Sequence, residues 1–316
     1  MPEKNYKSLV AFLDFMGTTI DFDVIYLEVN GKDEATRYQA SQEYLKKFHY
    51  RQDVAERSLA DNIQLLSKTI RPEILQVEHA TISDSLIVVF KNLEERHLHT
   101  AMRLLGAFIS SVVTEYLANQ DTLKGGIPLI HPIRGGVAYD YGEVNLNHSP
   151  IVLAGFVWDK VVRLEKKASW PRVIIDPDLA SKVASSQQVK PFLDDSDPEF
   201  LSFDLQGIGI QTIQNQIPQA DRAKMTLDFI IAKSFQFIDL NLEKNFKTTK
   251  YLEDKGTPIS GKELQEIVNK YQRWIIHHNL KTKMLAAKYK IDECHFKEFL
   301  LPEVLDEIII QEYRSR

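Results

Sequence analysis

The run LVAFLDFMGTTI, residues 9–20, decides the fold. It is apolar and rich in β-formers, so it predicts a buried central strand, and it sets a carboxylate, Asp14, where such a strand should carry no charge. Outward from it, residues 35–70 show helical spacing with few breakers, and two helices are expected there. ILQVEHATISDSLIVVF, residues 74–90, reads as a hairpin whose only turn signal, SDS, puts Asp84 at the tip. An amphipathic helix over residues 94–118 precedes IRGGVAYDYGEV, residues 133–144, a strand with paired glycines followed by a turn and another strand. VLAGFVWDKVVRLEKKAS is helical through its second half, and PRVIID, residues 171–176, is an apolar strand.

The order β-αα-ββ-α-ββ-α-β predicts an α+β fold, a mixed sheet with helices packed on one face in the style of a ferredoxin-like palm. The polar stretch SSQQVKPFLDDSDPEF reads as an excursion or linker, and from about residue 219 the pattern is almost wholly helical. Two domains are therefore expected: a core over residues 1–215, and a C-terminal helical extension over 216–316 packed on it.

Composition narrows the function. Across 316 residues, 44% apolar and 26% charged side chains are ordinary globular usage, with volume for a sizeable core. A net charge of −5, with Lys and Arg scattered, gives no footprint for a nucleic-acid polymer. A small anionic substrate remains compatible where a bound divalent cation supplies the local positive charge. No apolar run approaches the roughly 18 residues of a membrane span, and MPEKNYKS leads straight into a strand-like run. No membrane association and a cytoplasmic location are expected. The single cysteine, Cys294, has no partner for an internal disulfide or a thiolate metal site.

A hairpin packed beside the first strand would bring Asp14 and Asp84 together. Two close carboxylates repel unless a proton or a cation lies between them. Oxygen ligands at a sheet edge suit Mg²⁺ or Mn²⁺, and two such ions about 4 Å apart serve phosphoryl and nucleotidyl transfer. The same residues have plainer readings. Asp14 suits a helix cap, Asp84 an ordinary turn, Arg163 and Glu165 the solvated face of a helix, and Gly135–Gly136 tight packing against a neighbour. His277 and His278, adjacent on a helix, point in different directions and read as structural or surface residues.

Taken together, FLDFMG, TISDSLIVVF, IRGGVAYDYGEV and VWDKVVRLE resemble, in order and approximate spacing, the motifs of class III nucleotidyl cyclases. In that family an apolar strand ends in the first metal-binding Asp and a hairpin tip carries the second. A strand then reads R-x-G-I-x-x-G-x-V, and a helix carries V-N-x-A-x-R-L-E. The matching positions are Asp14, Asp84, Arg134 with Gly136 and Gly142, and Arg163 with Leu164 and Glu165, within residues 8–176. AFLDFMG, SDSLIVVF, RGG, RLEKKASWPRVIID and a helical tail with KYQRWIIHHN look most like the pyrimidine cyclases of the bacterial Pycsar antiphage systems.

The resemblance implies that Asp14, Asp84 and the Phe15 carbonyl hold two Mn²⁺ or Mg²⁺ ions. The turn with Gly17 would admit the triphosphate, and Arg163 would stabilise charge on the α-phosphoryl group. It also implies a head-to-tail homodimer with sites at the interface. The product would be 3′,5′-cyclic UMP from UTP, or cyclic CMP from CTP, acting on a separate effector during phage infection. Departures inform the choice of base. Ala80 and Val152 stand where adenine-specific cyclases place polar base readers, and Asp159 stands at the usual Asn. FHYR, residues 48–51, offers Tyr50 as a contact for a pyrimidine, against a reading of Tyr50 as helix packing. Two other classes compete: a catalytically silent cyclase-like nucleotide-binding module, and a scaffold working through its helical tail.

Overall fold

The computed structural model describes residues 7–15, 29–67, 75–82, 84–119, 133–146, 151–168, 171–194, 197, 199–203, 205, 222–256, 258–289, 292 and 296–315. These form two compact units, one from elements within residues 7–205 and one from those within 222–315. The division expected after residue 215 falls among residues 206–221, outside those described.

The first unit is a mixed α+β structure. Strand β1, Ser8–Phe15, lies inside a seven-stranded sheet. Its other strands are β2 (Gln76–Ile82), β3 (Ser85–Lys91), β4 (Ile133–Asp140), β7 (Val173–Ile175), β8 (Leu193–Asp194) and β9 (Ser202–Phe203). The spatial order is β2-β3-β1-β4-β7-β9-β8. β4 and β7 pair in parallel and the other neighbours are antiparallel, as a mixed sheet requires. Strands β5 (Gly142–Asn145) and β6 (Val152–Gly155) make a separate hairpin. The helices are α1 (Glu34–Ser67), α2 (Leu98–Asn119), α3 (Phe156–Lys167) and α4 (Pro177–Val183).

Three expectations are corrected. Residues 34–67 are one helix of 34 residues rather than two, because no Gly or Pro interrupts them. The sheet carries helices on both faces rather than one. Leu9, Ala11 and Leu13 of β1 pack with Ala101, Met102, Leu105 and Phe108 of α2, whereas Val10 and Phe12 face Val157 and Val161 of α3. Phe12 and Trp158 meet edge to face at 5.4 Å, and Leu9, Val10, Ala11 and Leu13 are 0% exposed. A strand buried on both sides is apolar at every step, as VAFL is. Finally, the polar stretch at residues 185–200 is no linker, since β8 lies within it and forms the sheet's edge with β9.

The second unit is helical: α5 (Arg222–Asp254), α6 (Gly261–Tyr289) and α7 (Glu307–Ser315). Ser260 and Glu263 start α6 with a reciprocal capping box, the Ser260 amide donating to Glu263 at 2.7 Å and the Glu263 amide to the Ser260 hydroxyl at 3.2 Å. The Asn279 side chain grips both backbone groups of Leu301, accepting from its amide at 3.1 Å and donating to its carbonyl at 2.8 Å. Among the described residues no helix is long and apolar enough to cross a membrane.

Candidate active site

The site grows from a close approach. A Cβ on Gly136 would lie 2.5 Å from Leu164 Cβ and 2.6 Å from the Val161 carbonyl oxygen, so α3 can rest on β4 only over a glycine. Gly155, at φ +96°, turns the chain out of β6 into α3. The paired glycines therefore serve tight packing, one of the two readings their sequence allowed. That packing has a chemical consequence: it carries Glu165, the residue after Leu164, down to the sheet.

Asp14 and Arg134 face each other across β1 and β4. The Arg134 Nε donates to Asp14 Oδ2 at 2.7 Å, and its Nη2 forms an ion pair with Glu165 Oε1 at 2.8 Å. Ser85, opposite Asp14 on β3, reaches Asp14 Oδ1 at 3.5 Å. The Phe15 amide donates to the Asp84 carbonyl at 3.0 Å, which seats the β2–β3 turn against the end of β1. Asp14, Phe15 and Asp84 are thus brought to one end of the central strand.

Glu165 registers the charge. Burial pushes its carboxyl pKa up; the Arg134 guanidinium opposes the rise, and the charges of Asp14 and Asp84 add to it. One guanidinium is thus shared by two carboxylates, Asp14 and Glu165, with the charge of Asp84 felt at Glu165. Among the described residues no group of three or more His, Cys, Asp or Glu side chains is placed to hold a metal ion. The donor set that the resemblance implies is smaller, two carboxylates and a backbone carbonyl, and its oxygen chemistry fits a hard divalent cation.

Arg163 lies elsewhere. Its side chain is 73% exposed, and its guanidinium forks onto Asp159, Nε to Oδ1 at 3.0 Å and Nη2 to Oδ2 at 2.8 Å. One helix therefore turns Glu165 toward the sheet and Arg163 outward, and Asp159 has a partner in its own turn. Ala80 is half-buried against the core of Val10 and Ile87, and Val152 is half-buried at the start of β6. Gly17 lies outside the described residues; Tyr50 lies within α1, with its side chain outside them. His278 is a core residue, 1% exposed, its Nε2 2.9 Å from the Phe299 carbonyl oxygen, and burial lowers its pKa to about 4.

Sequence reasoning gave Arg134 and Glu165 no role beyond their place in motifs. The available signals were a cation on an apolar strand and an acid directly after a buried leucine.

A second ionic cluster lies on the same helix. Lys160 Nζ reaches Asp140 at 3.0 Å, Asp176 at 3.4 Å and Asp178 at 2.9 Å. Asp176 also caps α4 by accepting from the Asp178 amide at 3.2 Å, and Asp140 accepts from the Tyr141 amide at 2.8 Å. No family model matches the chain, and no curated protein or solved structure matches it either.

Proposed function

We propose that this chain is a pyrimidine nucleotide cyclase that converts UTP to 3′,5′-cyclic UMP and pyrophosphate. One observation carries the reading: a half-buried carboxylate at the end of a central strand, Asp14, adjoins a turn carrying a second, Asp84. In the reaction the ribose 3′-oxygen bonds to the α-phosphorus, the bond to the β-phosphate bridging oxygen breaks, and the 3′-hydroxyl proton passes to solvent. Asp14, Asp84 and the Phe15 carbonyl are the groups that would hold two Mn²⁺ or Mg²⁺ ions. Bound there, such ions would lower the pKa of the 3′-hydroxyl and offset charge on the departing pyrophosphate.

Arg163 points out of its own unit, which suits a head-to-tail homodimer in which its forked guanidinium serves the partner's site. Ala80 and Val152 offer no side-chain hydrogen bonds to a purine, which favours a pyrimidine; CTP is the second choice of substrate. The product is a diffusible messenger for a separate effector, in keeping with an antiphage role in the cytoplasm.

A second reading has its own support: Arg134 already neutralises Asp14, as it would in an ion network that only ties α3 to the sheet. The chain would then bind nucleotide without turning it over. Incubation of the purified protein with Mn²⁺ and each of ATP, GTP, CTP and UTP, with products identified by chromatography and mass, separates the two. Cyclic UMP and pyrophosphate from UTP are expected; no product from any of the four, with nucleotide binding retained, favours the silent module.

A further inference from the structure

We infer that Arg134 is an internal stand-in for the divalent cation on Asp14, and that Glu165 is the positioning residue that receives Arg134 when a cation displaces it. The inference rests on the reading of Asp14 and Asp84 as cation ligands, and it adds a competing charge and a place for that charge to go.

The geometry is that of a shared guanidinium with unequal holds. Arg134 makes a well-formed hydrogen bond to Asp14 Oδ2 at 2.7 Å through Nε. Its Nη2 lies 2.8 Å from Glu165 Oε1, yet that buried oxygen receives no aligned hydrogen bond. The pose is therefore set by Asp14, and Glu165 is left with charge attraction alone. A divalent cation entering at Asp14 needs the lone pairs that Nε now engages. Because the two acceptors are met by different arms of one planar group, Arg134 can leave Asp14 and turn onto Glu165 without losing both partners.

Glu165 is fixed for this part. Gly136 sets α3 directly on β4, so the receiving carboxylate sits at one distance from the sheet, and its side chain is only 9% exposed. Burial raises the Glu165 pKa, and the charges of Asp14 and Asp84 add to the rise. A guanidinium drawn fully onto Glu165 would offset that burial once a cation had taken its place on Asp14.

A double-mutant cycle read by Mn²⁺ binding to the full-length protein tests this, using electron paramagnetic resonance of free Mn²⁺ and no nucleotide. Arg134→Met removes the competitor, and binding at least about tenfold tighter than wild type is expected. Glu165→Gln removes the receiver, and binding about fivefold weaker is expected in the wild-type background but within about twofold of unchanged in Arg134→Met, because Glu165 acts through Arg134. Equal weakening by Glu165→Gln in both backgrounds would show that Glu165 acts only as a distant charge, and would overturn the inference. Unchanged or weaker binding by Arg134→Met would overturn it as well. Circular dichroism checks folding, and if Arg134→Met does not fold the same cycle is run with Arg134→Gln, which keeps a polar side chain but carries no charge. Failure of the underlying cation reading looks different: wild type would not bind Mn²⁺, or Asp14→Ala would bind it equally well.

Discussion

Two ionic clusters meet α3, Arg134 with Asp14 and Glu165, and Lys160 with Asp140, Asp176 and Asp178, and they shift their carboxyl groups in opposite directions. Around Lys160 the negative charge is spread over other donors. Asp176 caps a helix, Asp140 takes a backbone amide, and Asp178 is 79% exposed to water. Burial raises the Asp140 carboxyl, but Lys160 and the Tyr141 amide outweigh it and hold the group below the usual carboxylate range. Around Arg134 the Glu165 carboxyl is pushed up instead, with no aligned hydrogen bond at Oε1. Similar groupings of charge thus end in opposite shifts, lowered where an ammonium and a backbone amide meet Asp140 and raised where burial dominates at Glu165.

The contrast can be broken most sharply by removing one acid from each cluster. On the proposed function, in which these groups hold the reacting ions, Asp14→Ala or Asp84→Ala should lower turnover of UTP by on the order of 10³-fold or more with the far-ultraviolet circular dichroism unchanged. Asp176→Ala should leave turnover within about twofold and reduce stability by about 1 kcal/mol in urea titrations, the usual cost of a lost helix cap. An exchange of those outcomes would reverse the assignment of the clusters.

Next in size is Gly136→Ala. Its new methyl group would meet Leu164 Cβ and the Val161 carbonyl, so α3 must lift, at a cost of about 1–3 kcal/mol in the same titrations. Lifting α3 also withdraws Glu165 from Arg134, whereas a variant of unaltered stability would mean that the close approach is not required.

The smallest effect is a pair of carboxamide substitutions read by thermal melts at pH 4 and pH 7. Glu165 has a raised folded pKa, so the unfolded chain gives up its proton first and the group's stabilising contribution fades as pH rises above its ordinary value of 4.5. Asp140 has a lowered folded pKa, so its contribution is present above its ordinary 3.8 and fades as pH falls. At pH 7, Glu165→Gln should be neutral or slightly stabilising and Asp140→Asn destabilising, each by less than about 1 kcal/mol. Equal losses from both would remove the distinction.

Much of this arrangement was legible in the sequence because it is local. One carboxylate in an apolar run, a turn signal between two strand patterns and a paired glycine each occupy a few residues, and the structure places all three around the end of β1. What was not legible depends on neighbours distant in the chain. Strands β8 and β9 have two residues each, too few for any period, so the sheet's edge read as a linker. The pairing of Arg134 with both Asp14 and Glu165 joins a strand, its neighbour and a helix, and no spacing within one segment encodes it. The outward course of Arg163 was available in principle, since residues two apart on a helix face away from each other.

On the proposed function the Asp14–Asp84 end of the sheet, and not the Lys160 cluster, takes divalent cations. The most direct measurement is an anomalous difference map at a manganese-sensitive wavelength from crystals grown with Mn²⁺ and a non-hydrolysable UTP analogue. A peak about 2.2 Å from oxygens of Asp14 and Asp84 is expected, with Arg134 turned from Asp14 onto Glu165. A peak at Asp140 and Asp176 instead, or Arg134 still on Asp14 with no peak beside it, would contradict it.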